Sequence, residues 1–317
     1  MISNTKEIVQ SIPIAGNILT KFARLIKYSN VCNRVIELYY HLCSIYRKKI
    51  GVTFKKRTPQ LIISLTTISS RIDHVYLVIE TLLQQSVKPD YLILWLSETN
   101  FSTTSLKNHS QGTRKLLNQR KRGLKINFCK DIRSYTKILY TLKHYPDAIV
   151  VSADDDLYYP KNWLKELYNS YNKNPEYIHC HASYIIKKSS SNSLLTHNKW
   201  LKPHDNFQGP SPNIFPLTGQ GCLFPPGSLH QEVFNENVFL KISPYEDDAW
   251  FKAMSILNNV PAKRVKPISK LLLRHVRGTQ SKTLCSINIE QGQFDPQFNA
   301  ILKKYDLIKY IDENDVN

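Results

Sequence analysis

The stretch Ala148-Ile149-Val150-Val151-Ser152-Ala153-Asp154-Asp155-Asp156-Leu157-Tyr158-Tyr159-Pro160 runs from an apolar strand straight into three consecutive carboxylates, and then into a proline that can open a helix. Three adjacent like charges repel, so this turn calls for a counter-charge. A hard divalent cation supplies one, because Mg2+ or Mn2+ prefers carboxylate oxygens and keeps positions open for phosphate oxygens. Asp154 and Asp156 stand two apart and face the same way in an extended backbone. Taken alone, the triplet reads equally as an acidic turn that caps the helix after Pro160.

The surrounding chain argues for the cation. Leu61–Thr66 is a strand-like apolar run, and Ile72–Gln85 carries Val75, Val78, Ile79, Leu82 and Leu83 at helical spacing; Tyr91–Leu96 is strand-like again. Lys125–Phe128, Tyr135–Lys143 and Ala148–Ser152 repeat the alternation as strand, helix and strand. Such βαβ texture predicts an α/β fold with a mainly parallel sheet covered by helices on both faces. In sheets of this kind ligands collect at the carboxyl ends of the strands, which is where the triplet falls. Residues 98–123 are rich in Ser, Asn, Gln and Lys and read as a variable surface segment.

A second acidic cluster, Ser243-Pro244-Tyr245-Glu246-Asp247-Asp248-Ala249-Trp250, has its last carboxylate, Asp248, ninety-two residues beyond Asp156. Phe251, Met254 and Leu257 continue a helical face, so these carboxylates open a helix. Acidic groups there complement the macrodipole by up to about 1 kcal/mol, which is a sufficient structural reason for their presence. The dipole is also expected to lower their pKa and leave them ionised at neutral pH. Between the clusters, Thr218-Gly219-Gln220-Gly221-Cys222-Leu223-Phe224-Pro225-Pro226-Gly227 combines glycines with a stiff turn, either for close backbone approach or as an ordinary turn before a buried strand. His179-Cys180-His181 alternates on a strand, as a metal pair or as core packing. No phosphate-binding G-x-x-x-x-G-K-[S/T] loop occurs, nor a G-x-G-x-x-G after the first strand, which disfavours P-loop nucleotidases and dinucleotide oxidoreductases.

The Asp154–Asp156 segment resembles the D-x-D stretch of GT-A-fold glycosyltransferases, especially the bacterial family-2-like enzymes, over roughly residues 60–300. The resemblance implies a Rossmann-like GT-A domain with a nucleotide-sugar donor, Mn2+ or Mg2+ as cofactor, and a glycan or lipid-linked acceptor hydroxyl. It implies Asp156 and Asp154 as metal ligands, with His275 as an additional one. Thr66, Thr67, Arg71, Glu98, Asp131, Lys137, Asp154 and Asp155 would meet the donor, Lys137 at the diphosphate and Asp131 at the nucleoside. Ser97-Glu98-Thr99-Asn100 stands where the family usually has Asp-Asp-x-Ser. The segment Tyr245–Trp250 is similar to the family's Glu-Asp acceptor motif, with Asp247 or Asp248 as the catalytic base. Glu246, Trp250, Gly219 and Gly221 would then line the acceptor. That motif favours direct displacement with inversion. Arg274, Arg277 and Lys282 are alternatives for covering the diphosphate.

Composition sets the remaining expectations. The 317 residues are 42% hydrophobic and carry 43 Lys/Arg against 25 Asp/Glu, a formal charge of +18, so a globular protein with an acidic partner is expected. Residues 1–60 hold eleven of the basic side chains and only two Glu. Ile18, Leu19, Phe22, Leu25 and Ile26 oppose Lys21, Arg24 and Lys27 on one amphipathic helix, and Val31, Val35, Leu38, Leu42 and Ile45 mark a second. These helices either lie on an anionic membrane surface or pack on the main domain. No run of about 18 apolar residues occurs, and Ile8–Thr20 is broken by polar residues, so neither a span nor a signal segment is expected. Six cysteines without C-x-x-C spacing fit reduced thiols and a cytoplasmic site, and the basic helices add the alternative of peripheral contact with the inner face of the plasma membrane. The reading divides the chain into a basic helical extension (1–58), a GT-A domain (59–310) and a tail (311–317). The alternatives are a metal-dependent phosphohydrolase, for which no recognisable phosphoryl-accepting Asp occurs, and a non-catalytic basic membrane or nucleic-acid binder. No nucleic-acid motif accompanies the charge, and no nucleic-acid partner is expected.

Overall fold

The apolar runs at 61–66, 91–97 and 149–152 become neighbouring strands because each is buried on both faces and has nowhere to go but the middle of a sheet. The computed structural model describes residues 30–107, 110–189, 193–200, 207–265, 273–280, 284 and 286–311. The amphipathic stretch 18–27, Lys282, Cys285 and residues 312–317 lie outside these.

The strands are β1 Leu61–Thr66, β2 Tyr91–Ser97, β3 Leu124–Cys129, β4 Ile149–Ser152, β5 Leu157–Tyr158 and β6 Ile178–Cys180, followed by β7 Ser183–Ile185, β8 Ile214–Pro216, β9 Cys222–Phe224, β10 Ala262–Arg264 and β11 Arg274–His275. The α-helices are α1 Asn30–Tyr46, α2 Val75–Leu83, α3 Thr103–Lys107, α4 Gln111–Gln119 and α5 Thr136–His144, followed by α6 Trp163–Lys173, α7 Glu236–Ile242, α8 Asp247–Leu257 and α9 Phe294–Tyr305. Seven strands form one sheet in the order β10-β6-β9-β4-β1-β2-β3. Only β9 runs against its neighbours; the other pairings are parallel. This mixed, mainly parallel Rossmann-like sheet flanked by helices is the GT-A-like arrangement that the resemblance implies. Two small antiparallel ribbons, β11-β5 and β7-β8, are added to it.

Alternating residues of the central strands face opposite layers. Leu61, Ile63 and Leu65 pack with α2 and α6, whereas Ile62, Ile93 and Val150 face α5. The α5 helix is fixed to the sheet by Thr141, whose fully buried hydroxyl meets Ser64 Oγ at 2.6 Å and accepts from Trp95 Nε1 at 2.7 Å. The chain leaves β1 toward β2 on one side and returns to β4 on the other. That reversal opens a crevice at the carboxyl ends of β1 and β4.

One expectation is corrected here. Residues 98–123 are not a bare surface segment: α4 packs on α2, with Leu116 fully buried. Arg122 reaches from just beyond α4 to the buried Glu80 at 2.6 Å, and Gln119 joins that carboxylate at 3.0 Å. The polar composition hid a helix whose inward contacts are hydrogen-bonded. Helix α1 packs on the main domain, one of the two alternatives that its sequence leaves open. It docks through Ile36 and Tyr40, with the Tyr40 ring stacked on Tyr158 at 5.4 Å and His41 bonded to Tyr76 at 2.8 Å. Its more apolar side, Val35, Leu38, Leu42 and Ile45, faces solvent. No helix among the described residues is long and apolar enough to cross a membrane.

Candidate active site at the carboxyl ends of β1 and β4

The chain leaves β4 as Ala153 and enters the triplet, whose three carboxylates take three different environments. Asp155 is buried and accepts from Thr67 Oγ1 and Arg71 Nη1, each at 2.6 Å. Thr67 and Arg71 follow β1, so this contact locks the ends of β1 and β4 together. Burial pushes the Asp155 carboxyl up, and the Arg71 guanidinium opposes it. Asp156 accepts from Gln280 Nε2 at 2.9 Å and lies 3.3 Å from Arg71 Nη1, with His275 Nδ1 at 4.0 Å. Burial and the neighbouring Asp154 raise its pKa to about 6. Asp154 is the more open of the three and faces Lys137 Nζ at 3.3 Å.

Lys137 joins the two acidic clusters. It rises from the first turn of α5 into the crevice, where its Nζ lies 2.9 Å from Asp247 Oδ2 as well as beside Asp154. Burial opposes its charge, but Asp154, Asp247 and Asp248 outweigh that penalty and hold its pKa well above the ordinary lysine value. Asp247 and Asp248 form the first turn of α8, after Glu246 at its N-cap. Asp248 accepts from the Thr218 hydroxyl and from Thr218 N at 3.3 Å. The dipole argument predicts a lowered pKa for this group, and the structure reverses it. Desolvation dominates, Asp247 adds to it, and Asp248 is raised to about 7 against the pull of Lys137. Glu246 is buried and accepts from Asn288 Nδ2 at 2.6 Å; burial and the two following aspartates keep it well above the usual carboxylate range.

Backbone geometry brings the glycine loop onto the triplet. A Cβ at Gly219 would lie 1.8 Å from Asp154 Oδ2, so a larger residue there would displace that carboxylate. Gly221 has φ of +117° and backs onto the Trp163 indole, a packing role beneath the site. The buried Tyr159 hydroxyl ties loop and triplet together, accepting from Asp154 N at 2.7 Å and donating to Gly219 O at 2.6 Å. Asp131 accepts from Arg133 N at 2.8 Å, and Arg133 reaches Pro244 O at 3.1 Å with its guanidinium 4.6 Å from the Tyr245 ring. Glu98 is exposed at the end of β2.

Other expected residues are engaged elsewhere. The Thr66 hydroxyl donates to Trp95 O at 2.9 Å, inside the sheet. Trp250 is fully buried, packed on Phe239 and Tyr305, with Nε1 donating to Val233 O; it is a core side chain and offers no surface to an acceptor. His179 is consumed by Ser170 and Asn174 O, and His181 by Trp163 O, which are packing roles. Tyr159, Thr218, Gln280 and Asn288 support the site without having been singled out. Tyr159 and Thr218 adjoin the motifs and could have been found there, whereas nothing periodic or chemical marks Gln280 or Asn288.

The donor set can be tested against a divalent cation. Among the described residues no three His, Cys, Asp or Glu side chains are gathered as a ready-made metal cage. Asp156 and His275 do stand together, and Asp154 faces the same crevice. One or two carboxylates completed by substrate phosphates is how Mg2+ and Mn2+ are usually held, so the residues fit such an ion.

No protein-family profile matches the chain, and no curated protein sequence does. Among solved structures, it is similar to a mannosyltransferase, PcManGT from Pyrobaculum calidifontis in complex with GDP-Man and Mn2+, at 11% identity and a TM-score of 0.47 over 86% of this chain and 73% of that one. It is also similar to S. aureus TarS 1-349, at 14% identity and a TM-score of 0.43 over 65% of this chain and 58% of that one. A UTP-bound UGPase from Acinetobacter baumannii gives 10% identity and a TM-score of 0.38 over 79% and 96%.

Proposed function

We propose that the protein is a metal-dependent glycosyltransferase of the GT-A kind, family-2-like, that moves a sugar from a nucleoside-diphosphate donor, UDP-linked in our reading, to a hydroxyl of a cell-surface glycan or lipid-linked acceptor. The observation that carries this is the Lys137 bridge between Asp154 and Asp247, which makes one crevice of two motifs far apart in sequence. Asp156, Asp154 and His275 would hold Mn2+ or Mg2+, which when bound stabilises the departing diphosphate. The domain responsible spans 59–310, with the basic extension 1–58 and the tail 311–317 outside it. It would work at the cytoplasmic face of a membrane, in peripheral contact with anionic lipid.

In this reading Asp248 is the base. Its carboxylate takes the acceptor proton as the hydroxyl oxygen bonds to the anomeric carbon and the bond from that carbon to the diphosphate oxygen breaks, which inverts the configuration. Thr218 holds Asp248 in orientation. Asp247 is committed to Lys137, so it serves by keeping that cation charged beside Asp154. Asp155, Thr67 and Arg71 act as a brace, with Arg71 also next to Asp156.

The test is a screen of sugar nucleotides for donor hydrolysis without acceptor, in Mn2+ or Mg2+. One donor should be cleaved, and both EDTA and Asp156→Ala should abolish cleavage. Full activity in EDTA would refute the metal site. Phosphate release from simple phosphate esters with no sugar-nucleotide cleavage would make the protein a phosphohydrolase instead.

A further inference from the structure

Helix α1 is docked with its broader apolar side outward. Val35, Leu38, Tyr39, Leu42, Ile45 and Tyr46 are 43–74% exposed and form one continuous stripe, opposite the side that carries Ile36 and Tyr40. Large apolar side chains clustered on one helix face, rather than scattered singly, mark a surface built to meet something. The inward face explains why the helix does not simply turn over. Asn33 accepts from Arg274 Nη1 at 2.7 Å, and Glu37 pairs with Arg277 Nη1 at 3.2 Å. Rotation would leave both arginines without these partners.

Charge chooses among the occupants. Arg34 lies beside the stripe, and Lys48 and Lys49 follow the end of the helix, all of them basic, while the sole acidic residue of 30–58, Glu37, is taken by Arg277. A second copy of this chain would bring the same basic rim against itself. The chain's own residues 1–29 carry Lys6, Lys21, Arg24 and Lys27 against Glu7 alone, so they also bring positive charge to a positive rim. An anionic lipid surface satisfies both features, since its acyl boundary takes the apolar stripe and its headgroups take the lysines.

We propose that the outward face of α1 docks on an anionic bilayer and so presents the crevice to an acceptor carried in that bilayer; the second half of this statement rests on the glycosyltransferase reading. The path is short. Arg274 and Arg277 flank His275, which lies 4.0 Å from Asp156, and Tyr40 stacks on Tyr158, two residues past the triplet. One side of α1 therefore braces the metal-facing end of the crevice while the other meets the lipid.

The experiment uses the full chain, without nucleotide, in co-sedimentation with vesicles of phosphatidylcholine alone or with phosphatidylserine added. Sedimentation should need phosphatidylserine and should weaken as salt shortens the Debye length, about 8 Å at physiological ionic strength. Leu38→Glu/Leu42→Glu should lower the bound fraction about tenfold or more, with donor hydrolysis and thermal unfolding unchanged, because both side chains point to solvent. Lys48→Ala/Lys49→Ala should remove much of the salt-sensitive part and serves as the second readout if the glutamates disturb folding. Unchanged sedimentation of both variants, or equal binding of neutral and anionic vesicles, overturns the proposal. So does a dimer in analytical ultracentrifugation that Leu38→Glu/Leu42→Glu makes monomeric, since the stripe is then covered by a second copy. Vesicle binding that follows the prediction without any sugar-nucleotide cleavage would instead leave the docking surface standing and remove the transferase reading.

Discussion

Lys137 and Lys252 are both buried, at 6% and 2% exposure, yet their pKa values move in opposite directions. Lys137 stands among Asp154, Asp247 and Asp248 and keeps its proton far above neutrality. Lys252 lies one turn further along the helix that carries Asp247 and Asp248, beside Cys180 and Cys222, and its Nζ has no hydrogen-bond partner among the described residues. Burial pushes it down to about 7. The same residue type, equally dry, is a fixed cation in the crevice and, in the core, an amine that gives up its proton near neutrality. Burial thus does not decide the charge; the carboxylates gathered around the ammonium do. The crevice is one place where this fold maintains charge away from water, the Arg122–Glu80 pair being another, and the proposed diphosphate leaving group would need such charge.

The largest expected effect attacks the crevice side of the comparison. Lys137→Met leaves Asp247, and in part Asp154, without a counter-charge, so turnover should fall at least about 10²-fold and stability by roughly 3 kcal/mol. Lys252→Met removes an unpaired amine and should leave urea stability within about 1.5 kcal/mol of the parent or raise it. Equal losses in the two variants would mean that Lys137 is no more than another buried side chain.

Next in size is Asp248→Asn, which keeps shape but cannot accept a proton. The kcat should drop about 10²-fold with donor affinity little changed. Because Asp248 is raised to about 7 and must be ionised to act, parent activity should climb with pH through that value, and residual activity of Asp248→Asn should lose this limb. Asp247→Asn should keep it. A pH profile that is flat from 5 to 8, on the order of the range where such groups titrate, would remove Asp248 from the role of base.

The most gradual effect, small over any short step of pH, sharpens the core side. Lys252 has a depressed folded pKa, so between about 7 and the usual lysine value of about 10.4 the unfolded chain binds more protons than the folded one. Stability therefore rises with pH across that window and is lost as pH falls toward about 7. The slope contributed is at most about 1.4 kcal/mol per pH unit. Denaturation of parent and Lys252→Met at pH values across the window should show the slope in the parent alone.

What sequence determined by itself is local in origin. The apolar runs of β1, β2 and β4 mark buried parallel strands because each is hydrophobic on both faces, and Asp154–Asp156 follows one of them directly, so its position at the ligand-bearing end needed no tertiary information. The helix starting at Asp247 was equally plain from its apolar spacing. Tertiary structure decided what depends on partners distant in the chain. Trp250 reads as part of an acceptor motif but faces the core, because helical position sets its direction and neighbouring elements decide what lies there. The apolar spacing of α1 leaves open which side packs, and Arg274 and Arg277, some 240 residues away, decide it by binding the opposite one. Asp248 rises to about 7 rather than falling, because desolvation by everything folded around it outweighs the dipole of its own helix. Periodicity is carried by neighbours a few residues apart, while dielectric environment and ion pairing belong to whichever segments the fold brings together.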